Sequence, residues 1–486
     1  MNSDKMIVSV SDTGGFAGFI RANWSVFVLI LIAGACVRCF LLVSAGESLI
    51  SGDAKLRYLP TAVNILNGNG FSIDTAAPFR PSEAAVPVYP LFIAAVYFCF
   101  GSNPIAIGIV QIIIDLGTGF ILAFISWQLA AFRYRRAASL AAFFIYIVVS
   151  WFTMVWSARV LTETLAIFFT VAAIAFCADT LATGRHSWKS WTGAGVCSGL
   201  ALLTRPDSAL LVAAVGSVLL IHFLKNLDRT AFAAGVLYAA AVLATLSPWI
   251  IRNYLVFDKF QPLASEWGFA SGDFMPVGYL HWVKTWITDE TYFDDVFNQP
   301  FIPGLVRFET SKLPDSIFDG NDEHLQVEAL MQRYNETLLF DSEIDAEFQT
   351  IADKRIARDP LRYYVGLPVT RTASVWLTGF ATNHATPWML IARLLSVAPI
   401  IIGGLIGFAL TIRRSILAQL LFSIVVVRTL FLAYHYAPET RYIVEAYPPM
   451  IAAASIAFAF LLVHLERRFS FRSRLFSPPP FSKPSR

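Results

Sequence analysis

Apolar residues run along this chain in blocks about the length of a bilayer crossing, separated by short polar turns. A helix needs about 20 predominantly apolar residues to cross the hydrocarbon core. On that criterion the pattern predicts ten spans: 24–43, 105–129, 137–156, 161–181, 190–204, 207–224, 231–250, 388–412, 415–434 and 446–464. Two of them, 190–204 and 207–224, are short and parted by Arg205-Pro206. A further apolar stretch, 86–101, has only 16 residues and carries Pro87 and Pro90 near its start. If it crossed, Arg133, Arg135 and Arg136 would lie outside and every later basic loop would be inverted. The bias of Lys and Arg to the cytoplasmic side therefore assigns it to the interface. Both termini are then expected in the cytoplasm. The polar first 23 residues and the lack of a small-residue cleavage site predict an uncleaved anchor for the first span.

The same pattern divides the chain. Residues 1–250 read as an N-terminal membrane module of seven spans, with an outer loop at 44–104. Residues 388–464 form a C-terminal module of three spans, and 465–486 a basic cytoplasmic tail. Between them, 251–387 carries 20 Asp/Glu against 11 Lys/Arg, a net charge of −9. A run of that length without a span is too long for an idle connection. It is expected to be an extracytoplasmic α-rich domain, with a helix-like stretch at 323–358. At 360–380, apolar and aromatic residues alternate with Arg362 and Arg371, which reads as a helix lying in the membrane surface.

Composition agrees. The chain is 56% hydrophobic and 15% charged, with mean hydropathy +0.60, against about 45–50% and about 25% in soluble domains. This excludes a cytosolic enzyme and a disordered chain. The net charge of +3 supplies no basic surface for a nucleic acid. The five Cys lie in apolar runs without metal-ligand spacing, and read as small buried hydrophobes.

Charges within spans are costly and point to function. Arg38, Arg393 and Arg428 each fall roughly 7–10 Å below the outer end of a span, counting 1.5 Å per residue. Arg159, Arg205, Arg252 and Arg441 stand at outer span ends. A single arginine there can snorkel to headgroups. Seven at the outer interface run against the charge bias and suggest an anion site, since guanidinium suits bidentate phosphate recognition. Asp115 in the second span fits this less well and is expected to pair with a buried neighbour or to serve the site. Asp53, in Gly52-Asp53-Ala54, Glu163 and Asp207 are the acids on the same side. An Asp beside arginines stays ionised and can act as a general base. Glu163, at the first turn of a helix, is alternatively a partner for the helix dipole.

Several stretches resemble one family. Asp53-Ala54-Lys55-Leu56-Arg57-Tyr58 with Asn67-Gly68-Asn69-Gly70-Phe71 is similar to the first outer loop of GT-C fold glycosyltransferases. The branch is that of protein O-mannosyltransferases and the lipid A aminoarabinose transferase. Val88-Tyr89-Pro90-Leu91-Phe92, Leu161-Thr162-Glu163, Thr204-Arg205-Pro206, Pro248-Trp249-Ile250-Ile251-Arg252-Asn253 and Arg441-Tyr442 follow in the same order. The 251–387 region carries no recognisable part of it. The resemblance implies a GT-C-like polytopic α-helical membrane protein that takes a sugar from a polyprenyl-phosphate carrier. It transfers the sugar with inversion to a glycan, lipid or protein acceptor at the outer face of a membrane, expected to be the bacterial inner membrane. Asp53 matches the family's loop acid and would take the acceptor proton, with Glu163 supporting it. Arg38, Arg80, Arg205, Arg252, Arg441 and Tyr58 are the expected contacts to lipid phosphate and sugar, facing Asp53 across one cavity. Many members carry a second acid where this chain has Ala54, and several have Lys-Pro-Pro where it has Ala85-Val86-Pro87. No metal site is placed, and a divalent metal is left open. The competing readings are a transporter or flippase, a surface-polysaccharide polymerase or ligase, and a membrane scaffold.

Overall fold

The computed structural model describes residues 15–50, 52–184, 187–265, 274–298, 307–378 and 387–468. Among them there is no strand, and eighteen α-helices follow one another. The first half holds α1 (Phe16–Ala22), α2 (Trp24–Ser44), α3 (Leu59–Leu66), α4 (Val88–Phe100), α5 (Pro104–Leu129), α6 (Arg135–Phe144) and α7 (Trp151–Ser157). Then come α8 (Glu163–Thr183), α9 (Trp188–Leu202), α10 (Ala209–Asn226) and α11 (Arg229–Phe257). A polar unit holds α12 (Val277–Lys284), α13 (Asn321–Thr337), α14 (Ser342–Arg358) and α15 (Leu367–Ala373). The chain closes with α16 (Pro387–Thr411), α17 (Ile416–Tyr434) and α18 (Tyr447–Arg468).

The helix starts follow local chemistry. Asn103 caps Ile105 ahead of Pro104, and Ser187, Asp228 and Ser415 accept the first free N–H groups of α9, α11 and α17. Gly184 ends α8 in the left-handed conformation that glycine adopts without a Cβ penalty.

Among the described residues eight helical segments are long and apolar enough to cross a membrane, and the chain is an integral membrane protein. A helix pair, 132–149 and 151–157, is bent by 59° at Ser150 and makes a ninth if it is counted as one broken span. The count of ten includes that pair and α9. At 15 residues, α9 is shorter than a full crossing, and it is held by packing against α8 and α11. The 86–101 stretch forms one short apolar helix. Helix α4 has 13 residues, about two thirds of the length a bilayer requires. One face, with Tyr89, Ile93 and Tyr97, is buried, while Leu91 and Phe98 are exposed.

Three cores result among the described residues. One, built on Leu42, Tyr89, Ile93, Ile107 and Val160, packs the Asp53 loop and α4 against α2 and α5. The largest joins α5, α6, α8, α10, α17 and α18 through residues such as Phe143, Tyr146, Ile174 and Tyr447. The polar unit has its own, built on Tyr279, Trp282, Val327 and Phe348. Helices α16 and α18 approach closely at Gly404 and Gly407, where a Cβ would meet Met450 and the Ala453 carbonyl. The expectation of buried cysteines holds for Cys177 only. Cys36, Cys39 and Cys99 are exposed on α2 and α4, because an apolar run that faces lipid buries only one side of its helix.

Residues 360–377 are helical throughout. Leu361, Tyr364, Val365 and Val369 are exposed, while Arg371 is buried and donates from Nε to the Ile287 carbonyl at 2.9 Å.

Candidate active site

Asp53 stands where a one-turn 3-10 helix (46–49) passes into a wide helical turn (54–58). Gly52 makes the corner at φ +47°, a conformation L side chains rarely adopt. The turn brings Arg57 within 3.5 Å of Asp53 and lays the Tyr58 ring edge-on to Tyr89, with centroids 5.0 Å apart. The Tyr89 hydroxyl donates to Gln111 (2.7 Å), and the Gln111 amide donates to the Arg159 carbonyl (2.6 Å). The Val160 N–H donates to the Leu49 carbonyl at 3.1 Å. Asp53's loop is thereby tied to the corner that opens α8 with Glu163.

Arg205, in extended backbone between α9 and a 3-10 turn at 206–208, crosses to that corner. Its Nη1 donates to Glu163 at 2.7 Å and its Nε to Asp207 at 3.0 Å, with Glu445 3.5 Å away. Arg428, near the same end of α17, binds Asp207 (2.8 Å) and Glu445 (2.6 Å). Arg441 lies on a 3-10 turn (440–446) ahead of α18 and meets Asp53 at 3.4 Å. Its other carboxylate partner is Glu439, and its guanidinium lies 5.2 Å from the Tyr442 ring centre, with that of Arg205 5.1 Å from the same ring.

The result is two ion-pair clusters that meet at Tyr442: Asp53 and Glu439 with Arg57 and Arg441, and Glu163, Asp207 and Glu445 with Arg205 and Arg428. Their members differ in access. The Glu163 and Glu445 side chains are 0% and 1% exposed, while Asp53 is 27% exposed. Burial pushes the Asp53 carboxyl up, but Arg441 and Arg57 outweigh it and hold it below the usual carboxylate value. Burial, and then the Asp53 charge, push the Tyr58 hydroxyl well above its ordinary value, so it stays a neutral O–H. Among the described residues no group of His, Cys, Asp or Glu is arranged to hold a metal ion.

Of the residues singled out in the sequence, the structure brings together Asp53, Tyr58, Glu163, Arg205 and Arg441. Three others have different partners. Arg38 is fully buried and paired with Asp115, both its Nε and Nη2 lying 2.7 Å from the carboxylate. Arg80 is exposed and bound to Asp74 at 3.0 Å. Arg252 braces the outer loop, donating to the Ser82 carbonyl at 3.0 Å, with its guanidinium 5.4 Å from the Phe71 ring centre. The common depth of Arg38, Arg393 and Arg428 does not make one site: Arg38 and Arg428 share no partner. Arg393 lines a small surface hollow with Trp151, Trp376 and Tyr447, none of which belongs to either cluster.

Asp53 and the arginines also do not face each other across a gap. Opposite charges attract, and Arg441 and Arg57 close directly on Asp53. Glu439 and Glu445 escaped the sequence reading. Their signal was available in Pro438-Glu439-Thr440-Arg441-Tyr442-Ile443-Val444-Glu445, where two acids flank Arg441 between two spans.

Residues 80–251 match a model of the dolichyl-phosphate-mannose-protein mannosyltransferase family. The match includes Glu163 and Arg205 and leaves out Asp53 and Arg441. No curated protein sequence matches the chain. Among solved structures, the chain is similar to the archaeal oligosaccharyltransferase AglB from Archaeoglobus fulgidus, in complex with an inhibitory peptide and a dolichol-phosphate. That likeness has TM-score 0.50 at 12% identity, covering 94% of this chain and 53% of that one. The same enzyme tethered to an acceptor peptide with the NVT sequon gives TM-score 0.52 at 12% identity, over 96% and 52%. ArnT from Cupriavidus metallidurans, bound to undecaprenyl phosphate, gives 0.37 at 14% identity, over 91% and 79%. The chain spans about half the length of the oligosaccharyltransferase. The resemblance drawn from the sequence motifs is thus met independently: the chain has a GT-C-like fold, and its residues 80–251 match the dolichyl-phosphate-mannose-protein mannosyltransferase family.

Proposed function

We propose that the protein is a membrane glycosyltransferase that moves a sugar from a polyprenyl-phosphate carrier to an acceptor hydroxyl. The observation that carries this reading is Asp53: an ionised carboxylate, 27% exposed where Glu163 and Glu445 are buried, and held by Arg441 and Arg57. Asp53 takes the acceptor proton as the acceptor oxygen bonds to the anomeric carbon. The bond from that carbon to the phosphate oxygen breaks with its electron pair going to the phosphate, and the configuration inverts. A phosphate leaving group needs positive charge rather than a proton, and preorganised guanidinium groups provide it where charge develops. Arg441, 21% exposed and paired with both Asp53 and Glu439, is the arginine assigned to such a group, with the more exposed Arg57 left as a partner of Asp53. Arg205 and Arg428 are buried between carboxylates and hold the walls, with Glu163 as the support of Arg205. The site opens on the extracytoplasmic face of a bacterial inner membrane, with both termini in the cytoplasm. Residues 251–387 form the outer domain of this arrangement, and the acceptor is a glycan, lipid or protein.

The test is the fate of the donor. Purified protein in proteoliposomes given a polyprenyl-phosphate-linked hexose and an acceptor membrane fraction is expected to release free polyprenyl phosphate. A flippase would move the donor intact, and that result would remove the transferase reading.

The lowered pKa also fixes a pH dependence. A base whose pKa lies below the ordinary carboxylate value of about 3.9 stays ionised throughout the neutral range. The acid limb of kcat/KM should therefore fall below about pH 4, leaving rates flat from there to neutrality. An acid limb centred near pH 6 would show that another group takes the proton.

A further inference from the structure

The turn that carries Arg441 is held from outside the membrane bundle. The polar unit grips the segment leading from α17 to α18 at three points. Arg371 donates to the Ile287 and Lys284 carbonyls and, from Nη1, to the Ala433 carbonyl at 3.4 Å. His281 Nε2 and the Tyr436 hydroxyl are hydrogen-bonded at 2.8 Å with their rings stacked, and the Lys284 ammonium lies 4.8 Å from the Tyr436 ring centre. The third grip reaches the site itself. One oxygen of Glu290 accepts from both the Thr440 N–H and the Thr440 hydroxyl, the latter at 2.6 Å. Thr440 opens the 3-10 turn on which Arg441, Tyr442 and Glu445 stand.

We propose that Glu290 is a positioning residue: by holding Thr440 it fixes the 440–446 turn, and so sets Arg441 against Asp53. The inference rests on the reading of Asp53 and Arg441 as the reacting groups. The turn is short, and Thr440 has no helical residue before it to fix its direction. The carboxylate of Glu290 meets both of its donors from another part of the fold. Arg441 in turn meets Asp53 at 3.4 Å, a contact long enough that a small rotation of the turn would lose it. A displacement of about 1 Å at a reacting geometry can cost on the order of 100-fold in rate. Glu290 itself touches neither Asp53 nor Arg441 through a hydrogen bond, so its effect passes through the backbone of the turn.

The experiment compares full-length wild type, Glu290→Ala and Glu290→Gln in proteoliposomes with a polyprenyl-phosphate-linked hexose and an acceptor membrane fraction. Expected is a loss of kcat of tenfold or more for E290A, with the donor KM within twofold of wild type. E290Q should recover most of that loss, because its amide oxygen accepts from the same two donors. Hydrogen exchange on the same samples should be faster in peptides covering 436–446 of E290A alone, with α13 and α14 unchanged. Wild-type kcat in E290A would overturn the proposal. So would an E290Q no better than E290A, or exchange that rises throughout 274–378. If the wild type does not turn over the donor, the transferase reading falls, and the exchange comparison still decides whether Glu290 holds the turn.

Discussion

Asp53→Asn is expected to lower kcat by a factor on the order of 100 to 10,000 while leaving the donor KM near its wild-type value. That range is what a positioned general base contributes. The substitution is nearly isosteric and keeps a carbonyl oxygen facing Arg441, which retains Glu439 as its second partner. Ground-state contacts therefore survive, and only the capacity to take a proton is removed. Such a pattern, with kcat lost and KM kept, marks an interaction made only in the transition state. Asp53→Glu should be intermediate, since it keeps the base but moves it by one methylene. Arg57→Ala separates the two cations beside Asp53. Its i,i+4 contact to Asp53 is 3.5 Å long and about a third exposed, and pairs of that kind are worth no more than about 1 kcal/mol. Arg57→Ala should thus change the rate far less than any change at Arg441. The measurement is initial rate against donor concentration in proteoliposomes. Undiminished turnover in D53N would remove Asp53 from the chemistry.

Much of this site could be read before any fold was known, and the limit of that reading has a physical cause. Depth along a span is countable, because each residue adds about 1.5 Å. Counting correctly sent Arg205, Glu163, Arg441 and Asp53 to one end of the bundle. Azimuth is not countable, since the direction a side chain points around its helix matters only relative to neighbours supplied by the fold. Arg38 lies 77 residues from its partner Asp115, and Arg441 lies 388 from Asp53. Nothing local distinguishes the arginine that faces Asp115 from the one that faces the loop acid. The spans were legible for the opposite reason: a bilayer imposes length on every helix separately. The break at Ser150 was not, because both halves of the bent span are apolar and contain no proline. Helix α4 was legible only through the charge bias of loops elsewhere. Glu439 and Glu445 were overlooked because acids in a short turn usually face water, whereas here α8, the 206–208 turn and α17 close over Glu445.

Arg38→Met and Asp115→Ala are each expected to destabilise the protein by about 3–5 kcal/mol, the cost of leaving one partner of a buried ion pair behind. Both side chains are within 2% of full burial, and the group around them is closed. The Tyr146 hydroxyl donates to the second oxygen of Asp115 at 2.5 Å. Arg38 Nη1 donates to the Ile147 carbonyl at 2.8 Å and the Gly34 carbonyl at 3.2 Å. Ile147 belongs to the widened turn (145–149) just before the 59° bend at Ser150, where the regular helical ladder is interrupted. Inside a membrane a carbonyl released by such an interruption has no water to turn to, and the guanidinium takes its place. Asp115→Ala should be the worse of the two. It leaves the guanidinium of Arg38 buried in the membrane interior without its carboxylate. The double variant Arg38→Met with Asp115→Leu removes both charges together, and should recover much of the loss, giving strongly non-additive costs. Thermal unfolding of detergent-purified protein measures the four corners of the cycle. The same cycle tests whether Arg38 binds the donor phosphate. A phosphate ligand would show a raised donor KM in Arg38→Met at unchanged stability, and additive effects with Asp115. A structural brace for the broken span shows lost stability, with the surviving fraction binding donor as the wild type does.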